Sequence, residues 1–476
     1  MRLTRRGITL TAAVAGFAAC TPSGNSTATP PPVVSLSAGN GQSATVGSAV
    51  ATSPAVQVQT TTGSPVSGFA VTFAVATGGG SATGTTQTTD ASGVARVGGW
   101  TLGTTPGANS LTATAAGATG SPLTFTAAGT VGAAAAVTKQ GGDGQSAVVA
   151  TAVATRPAVK VADQFGNPDA GVPVTFAVTA GGGSVTGGSQ MTGPDGVATV
   201  GSWTLGNLVG ANTLTATATG SGLTGNPATF GATATAGPLS TITKVAGDNQ
   251  VALSGVAVTT APGVKVTDLF GNAIAGQPVT FAVASGGGSV TGGAPSSGLT
   301  GVATVGSWIL GAVGTNTLTA TAGTQSATFT ATAQAVLNAP QYAGTYTGTW
   351  TNTTFSSTGT GSALVVVNAG ASTATVTVNV TGAVLGSAGV PQIIRAGPYG
   401  ATSANFSSAA VPVMGDITAS IDVTGHIVAS GINVPNAAIT RWDASGTVTA
   451  TTLNLSFTVT FASGPPAVGT ISMTKP

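Results

Sequence analysis

The sequence is poor in charged residues, which make up 5% of the chain, and it contains no Glu. Soluble domains typically carry about 25% charged residues. With one Cys and one His, Cys20 and His426, a metal cluster of Cys and His ligands is excluded. A Ser–His–acid triad would have to use His426, and the sequence has neither a G-x-S-x-G elbow nor a G-x-x-x-x-G-K-[ST] loop. We therefore expect no enzyme activity, no cofactor and no metal.

Basic residues are also scarce outside the N-terminus. The net charge is +2, but three of the twelve Lys and Arg residues are Arg2, Arg5 and Arg6. The rest of the chain has no basic patch of the kind that binds nucleic acid, so we expect no nucleic-acid partner. With a single Cys, an intrachain disulfide is excluded as well.

The N-terminal segment has the three parts of a secretory signal. "MRLTRRGITLTAAVAGFAAC" combines a basic start, an apolar run too short to span a bilayer, and small residues before a cleavage point. "FAAC" resembles a bacterial lipobox, with Phe17 in place of the usual Leu, and Cys20 is the predicted lipidation site. Residues 1–20 are then a signal peptide of the lipoprotein type and 21–32 a tether. The alternative is an ordinary signal peptide, and export through the Sec or the twin-Arg route stays open.

What the sequence does contain, in quantity, is Gly, Ala, Ser and the β-branched residues Val and Thr, which favours an all-β fold. It is also repetitive. "VTFAV" begins at Val71, Val174 and Val279, 103 and 105 residues apart. A Gln and a Trp keep the same intervals in all three copies: Gln42, Gln145 and Gln250; Trp100, Trp203 and Trp308. These intervals define repeats at 33–132, 133–236 and 237–335.

Each repeat reads as about seven short strands separated by turns, the pattern of an immunoglobulin-like (Ig-like) β-sandwich. The second repeat, with "VKVADQFGNPDAGVPVTFAVTAGGGSVTG" and "GPDGVATVGSWTLG", resembles the group 1 bacterial Ig-like domain found in invasin and intimin. The shared features are a D-x-x-G-N turn, a V-T-F strand, a D-G-x-A turn and a late L-T-A strand. The first repeat is looser, because Thr60 stands where the others have Asp163 and Asp268. The resemblance covers about residues 33–335 and implies a β-sandwich outside the cytoplasm.

Several residues within the repeats have structural interpretations. Asp163 and Asp268 are interpreted as turn acceptors rather than metal ligands, because Asp readily accepts hydrogen bonds from turn backbone. The three repeated Trp are predicted to pack in the sandwich cores rather than to stack on sugars. Gly181–Gly183 follow a core strand, and no Lys or helical pattern follows them, so they are predicted to form a tight turn and not a phosphate loop.

Residues 336–476 have a different pattern, and we expect an antiparallel β-domain, either a barrel or a sandwich. "GTYTGTW" is faintly similar to the opening strand of lipocalin-like barrels. Candidate binding residues are Tyr346, Trp350, His426 and Trp442. Asp422 and His426 flank one predicted turn, where they form either a solvated hairpin pair or the start of a catalytic centre.

The sequence supports three hypotheses of function. The first is a non-enzymatic protein anchored to the membrane through Cys20, at the cell surface or in the envelope, in which an Ig-like stalk displays the terminal β-domain. Its role would be adhesion or architecture, and its partner an unidentified surface glycan or protein. The second is a protein that binds a small molecule, lipid or glycan through residues 336–476. The third, a hydrolase around His426, is disfavoured by the absence of Glu and the scarcity of His.

Overall fold

A computed structural model describes residues 29–384, 387–388 and 392–476. Across these ranges the chain is built from β-strands, with two short 3-10 turns and no α-helix. None of the described residues forms a helix long and apolar enough to cross a membrane. The chain divides into two compact units, Met1–Thr235 and Ala236–Pro476. The six segments predicted from the sequence are finer than this division and stay a prediction.

Two sandwiches make up the described part of the first unit, with ten strands each. The first contains β1 (Val33–Ala38), β2 (Gln42–Thr45), β3 (Ala55–Gln59), β4 (Ala70–Thr77), β5 (Ser81–Thr83), β6 (Thr86–Thr88), β7 (Val94–Arg96), β8 (Gly99–Thr101), β9 (Gly107–Thr114) and β10 (Leu123–Thr130). The second contains β11 (Ala136–Gly141), β12 (Gln145–Val148), β13 (Ala158–Ala162), β14 (Pro173–Ala180), β15 (Ser184–Thr186), β16 (Ser189–Met191), β17 (Val197–Thr199), β18 (Ser202–Thr204), β19 (Gly210–Ala218) and β20 (Ala228–Thr235).

The two sandwiches share one topology. A three-stranded sheet, β1-β3-β7 or β11-β13-β17, accompanies a five-stranded sheet, β2-β10-β9-β4-β6 or β12-β20-β19-β14-β16, and a small hairpin-like pair completes each. The second strand of each repeat pairs in parallel with the last, and the other pairs are antiparallel. Ig-like sandwiches, as the sequence predicts, are therefore confirmed.

The second unit opens with a third sandwich. Its strands are β21 (Thr241–Ala246), β22 (Gln250–Leu253), β23 (Gly263–Thr267), β24 (Thr280–Ser285), β25 (Gly288–Thr291), β26 (Val302–Thr304), β27 (Ser307–Leu310), β28 (Gly314–Ala322) and β29 (Gln325–Gln334). It has one strand fewer than the others. Pro295 occupies the position of Gln190 in β16, and without an N–H it cannot donate to a sheet ladder. An isolated bridge between Pro278 and Ser296 is what forms there instead.

A fully buried Trp lies at the centre of each sandwich, as predicted: Trp100, Trp203 and Trp308. In the second sandwich, the Trp packs in one cluster with apolar residues from both sheets, including Val159, Phe176 and Phe230. Alternate residues of each strand therefore point between the sheets and away from water.

The glycine run after β14 is a turn with positive φ angles of 83° at Gly181, 76° at Gly182 and 87° at Gly183. A Cβ on Gly183 would lie 2.2 Å from the main-chain oxygen of Thr204, so the loop also packs tightly against β18. Only Gly satisfies both conditions at low cost. The predicted tight turn is confirmed.

The rest of the second unit is a ten-stranded antiparallel sheet that nearly closes into a barrel. Two 3-10 turns, Ala339–Tyr342 and Ala369–Ala371, accompany its strands. The strands are β30 (Gly344–Asn352), β31 (Ser357–Asn368), β32 (Thr373–Val380), β35 (Ile393–Pro398), β36 (Ser403–Val411), β37 (Gly415–Asp422), β38 (His426–Ile432), β39 (Ile439–Val448), β40 (Thr452–Phe461) and β41 (Ala467–Thr474), with a minor pair, β33 (Ala383–Val384) and β34 (Ser387–Ala388), between β32 and β35.

The order of strands explains the near closure. The first strand of the barrel, β30, pairs with the last, β41. Every other pair of the sheet joins consecutive strands, except that β32 pairs with β35 across the minor pair of β33 and β34. The two free edges belong to β35 and β36, which are linked by a short turn with a bridge between Tyr399 and Ala404. Of the two predicted architectures, the structure has the barrel.

Candidate functional site

The three aromatic residues proposed as binding residues all lie inside the barrel. Tyr346 is fully buried, and Trp350 and Trp442 are 4% and 8% exposed. Their polar atoms bond to main-chain oxygens: Tyr346 Oη donates to Thr449 at 2.9 Å, Trp350 Nε1 to Thr381 at 2.8 Å and Trp442 Nε1 to Met414 at 2.9 Å. They therefore do not form an exposed platform; they form part of the wall of the barrel interior.

Glycines make room for the two indole rings. Trp350 pairs with Gly359 across β30 and β31, and Trp442 pairs with Gly431 across β39 and β38. A Cβ on Gly359 would lie 2.4 Å from Trp350 Nε1, and one on Gly431 would lie 2.0 Å from Trp442 Nε1. Each indole nitrogen thus lies directly against its glycine partner, in space that the Cβ of any other residue would occupy.

The barrel encloses a cavity of about 730 Å³. Its lining is almost wholly apolar, with Tyr346, Trp350 and Trp442 among side chains from every part of the sheet. Burial raises the pKa of the Tyr346 phenol, with a smaller contribution from Tyr342, so the hydroxyl stays protonated and donates. A cavity of this size is typical of small-molecule sites, which measure about 300–1,000 Å³.

One charged side chain, Arg395, lies on the cavity wall. It belongs to β35, where Ile393 and Arg395 face inward and Ile394 and Ala396 are exposed. Its Nε is buried and has no hydrogen-bond partner among the described residues. A terminal nitrogen donates to the main-chain oxygen of Ile394. Arg395 is not among the binding residues predicted from the sequence.

His426, the fourth candidate, lies apart from the aromatic residues. It is exposed at the start of β38 and is not part of the cavity wall. Its main-chain N–H donates to Asp422 Oδ1 at 3.0 Å, and the same oxygen accepts from the N–H and hydroxyl of Thr424. The hydroxyl of Thr424, together with these two N–H groups, lowers the pKa of Asp422. Asp422 and His426 therefore do contact each other at one turn, but the contact uses the main-chain N–H of His426 and not its imidazole.

No group of three or more His, Cys, Asp or Glu that could hold a metal ion occurs in the part of the chain that the structure describes. Asp163 and Asp268 are turn acceptors, as interpreted: Asp163 Oδ1 accepts the N–H of Phe165 at 2.9 Å and of Asn167 at 3.0 Å. Asp268 makes the same bonds to Phe270 and Asn272. Cys20 lies outside the described residues, and its lipidation stays a prediction.

Asp163 has a second role that the sequence did not reveal. Its other oxygen, Oδ2, accepts the N–H of Gly132, which follows the last strand of the preceding sandwich, at 3.0 Å. Asn167 in the same turn donates to the main-chain oxygen of Thr104 in the first sandwich at 2.7 Å. Phe165 lies against Gly47 of that sandwich as well. The turn therefore forms a joint between the first and second sandwiches.

The third sandwich repeats the linker contact, because Asp268 Oδ2 accepts the N–H of Gly237 at 2.9 Å. The first sandwich has Thr60 at this position. Thr60 bonds within its own turn, to Ser64 and Thr62. The sequence does contain a signal for this linker contact. Asp occupies the position in the second and third repeats, which each follow another repeat, and Thr60 occupies it in the first.

No protein-family model and no curated protein matches the chain. Among solved structures, the Escherichia coli adhesin FdeC is 19% identical, covers 63% of this chain and 96% of its own, and has a TM-score of 0.38. Yersinia pseudotuberculosis InvD is 17% identical over 63% of this chain and 95% of its own, with a TM-score of 0.34. The cadherin domains 1–4 of protocadherin gamma B7 are 10% identical over 85% and 91%, with a TM-score of 0.32.

Bacterial Ig-like adhesins, the group that the sequence resembles, are thus among the structural neighbours, together with a protocadherin. Because all three TM-scores are below 0.5, the fold assignment depends on the strand pairing of the chain itself. By that pairing, the protein is a tandem Ig-like repeat protein with a C-terminal antiparallel β-barrel.

Proposed function

We propose that this is a non-enzymatic surface protein of the bacterial cell envelope, in which the Ig-like repeats are a spacer and the terminal barrel is the displayed domain. Adhesion is the role we assign to it, with a surface glycan or protein as the partner. A lipid on Cys20 would hold the protein on the membrane, and residues 21–32 would be the tether. Export and adhesion are what the resemblance of the repeats to invasin and intimin domains implies.

The observation that carries the spacer role is the joint at Asp163. A carboxylate that binds its own turn and the preceding linker at once restricts the motion between two sandwiches. No charged position is kept in all three repeats; Lys160 and Lys265, for example, align with Gln57. Repeats that keep packing and joint residues but no common surface site suit a mechanical role better than a repeated binding role.

Adhesion is tested with cells that display the full chain and matched cells that display a chain ending at Ala335. Both are applied to arrays of surface glycans and extracellular-matrix proteins. We expect the full chain to adhere and the shortened chain to lose that adherence while staying at the surface. Adherence that is absent from both would contradict an adhesive role, and equal adherence would move it from the barrel to the repeats.

The anchor is tested with Cys20→Ser and, as a matched control, Thr21→Ser. Because Cys20 is the only Cys in the sequence, incorporation of labelled palmitate through a thiol reports on this residue alone. We expect the Cys20 variant to lose the label and leave the membrane fraction, and the Thr21 variant to keep both. Unchanged fractionation of the Cys20 variant would show that the protein is not a lipoprotein.

A further inference from the structure

The structure points to a ligand site inside the C-terminal barrel, and we propose that it binds a single-chain amphiphile with an anionic head group, held by Arg395. This site goes beyond the proposed adhesive function and does not depend on it.

The cavity wall is almost wholly apolar. Side chains from strands all around the barrel, such as Val376, Phe406, Ile417 and Leu455, face a shared space of about 730 Å³. Small barrels commonly fill their interior with side chains, whereas larger ones enclose ligand cavities. This ten-stranded barrel keeps open apolar space, and the indoles of Trp350 and Trp442 lie against glycines of its wall. An apolar molecule or chain is the occupant that such a wall favours.

Among the described residues, Arg395 is the one charged residue in that wall. It pairs with Val376 on β32, and both side chains line the cavity. A guanidinium has five N–H donors, and a buried donor without an acceptor is costly. In the described structure its buried Nε has no acceptor. A charged side chain on an apolar cavity wall therefore calls for an anion within the cavity.

The protein itself does not supply that anion. None of the ten acidic residues lines the cavity. The three acids in the barrel are engaged elsewhere: Asp416 accepts from Ala410 and Asn433, Asp422 caps its turn, and Asp443 pairs with Arg441. The barrel positions that the structure does not describe carry no acidic side chain, since 385–386 and 389–391 read Leu-Gly and Gly-Val-Pro. The counter-charge must come with a ligand.

The apolar wall and the Arg395 Nε, which is unpaired among the described residues, together define the ligand class. The apolar wall requires a hydrocarbon portion, and Arg395 requires a head group with two or three oxygens that a guanidinium fork can bind, a carboxylate or a phosphate. Both are anionic head groups on an apolar chain, and they differ in source: a free fatty acid or a phosphate monoester.

The experiment uses the full chain and three probes with the same sixteen-carbon chain: palmitate, hexadecyl phosphate and hexadecanol. Binding is followed by calorimetry and by Trp fluorescence. Trp350 and Trp442 line the cavity, whereas the other three Trp are buried in sandwich cores and give a constant background. We expect saturable binding with one site per chain for palmitate, hexadecyl phosphate or both, and at least tenfold weaker binding of hexadecanol.

Arg395→Gln tests the head-group contact, and Arg441→Gln is the matched control, because Arg441 is an exposed Arg of the same barrel that pairs with Asp443 on the surface. We expect Arg395→Gln to weaken the binding of the anionic probes at least tenfold and to leave hexadecanol unchanged. Arg441→Gln should leave all three unchanged. Arg395→Lys keeps the positive charge but loses the two-pronged guanidinium, and we expect it to bind the anionic probes with intermediate affinity. It replaces Arg395→Gln in the test if the Gln variant does not fold.

Three results would overturn the proposal. One is the absence of saturable binding by any probe. Another is equal affinity of the wild-type protein for hexadecanol and for whichever of palmitate and hexadecyl phosphate binds more tightly. The third is an Arg395→Gln variant that binds the anionic probes as tightly as the wild type does. If only Arg395→Lys folds, the same result in that variant would overturn the proposal.

Discussion

The carboxylate of Asp163 accepts the main-chain N–H of Gly132 across the boundary between the first two sandwiches, with 3.0 Å between Oδ2 and N. The same side chain accepts two N–H groups of its own turn and is 3% exposed. Hydrogen bonds to a charged group are stronger than neutral ones. A single buried carboxylate thus orders a turn and, through it, the junction with the preceding sandwich.

Replacing Asp163 with Ala should loosen this junction. The change leaves the N–H groups of Gly132, Phe165 and Asn167 without their acceptor, and we expect a loss of about 1–3 kcal/mol in the free energy of unfolding. Spin labels at exposed positions 62 and 221, one in each sandwich of a Cys20→Ser background, report the distance between sandwiches. The distance distribution should broaden in the variant.

Asp195→Ala is the control for this prediction. Asp195 is exposed and accepts the N–H of Val197 within its own turn at 3.0 Å, without a contact to the linker. We expect an unchanged distance distribution and a smaller effect on unfolding. A distribution in Asp163→Ala as narrow as in the wild type would show that apolar contacts, such as Phe165 against Gly47, hold the joint by themselves.

The joint should also depend on pH. Burial opposes ionisation of Asp163, but hydrogen bonds from the Asn167 side chain and from the N–H groups of Gly132, Phe165 and Asn167 outweigh it and hold the pKa below its ordinary value of 3.8. A lowered pKa in the folded state adds stability that is complete above the ordinary pKa and is lost as the pH falls through the folded one.

We therefore expect the spin-label distribution of the wild type to be narrow at neutral pH and to broaden below about pH 3.8, toward that of Asp163→Ala. The variant should be broad throughout this range. If acid broadens both proteins by the same amount, other carboxylates cause the change.

Much of the fold could be predicted from the sequence, because it depends on features with a fixed spacing. The repeat interval, the alternation in strands such as β14, and the Trp between small residues each have one good structural solution. The barrel could be narrowed only to two architectures, since closure depends on the pairing of β30 with β41, which lie far apart in the chain.

The cavity residues were harder to predict. Tyr346, Trp350 and Trp442 were selected as aromatic residues, but which side of a strand faces inward is not written in a short motif. Arg395 follows two adjacent Ile residues, so alternation does not say which face of β35 is buried. His426 flanks a predicted turn with Asp422, and that position does not say whether its side chain faces the barrel interior.

Gly183→Ala tests the glycine turn. At a φ of 87°, a side chain costs about 1–2 kcal/mol, and the added Cβ would approach the main-chain oxygen of Thr204 to 2.2 Å. Gly222→Ala is the matched control, since it has a φ of 72° and open space around the added Cβ. Chemical denaturation should show a larger loss of stability at 183 than at 222. Equal losses would mean that the close approach to β18 adds nothing to the backbone cost.

Trp203→Ala tests the core of the second sandwich. The side chain is fully buried between the two sheets, and its removal leaves a cavity, so we expect a loss of about 3–5 kcal/mol in the free energy of unfolding. Met191→Ala, in the same sandwich and 64% exposed, should change it by less than about 0.5 kcal/mol. Trp203→Phe should cost less than Ala, because it fills part of the space and removes an Nε1 that is buried without a hydrogen bond among the described residues. A Trp203→Ala variant as stable as the wild type would mean that the indole does not hold the two sheets together.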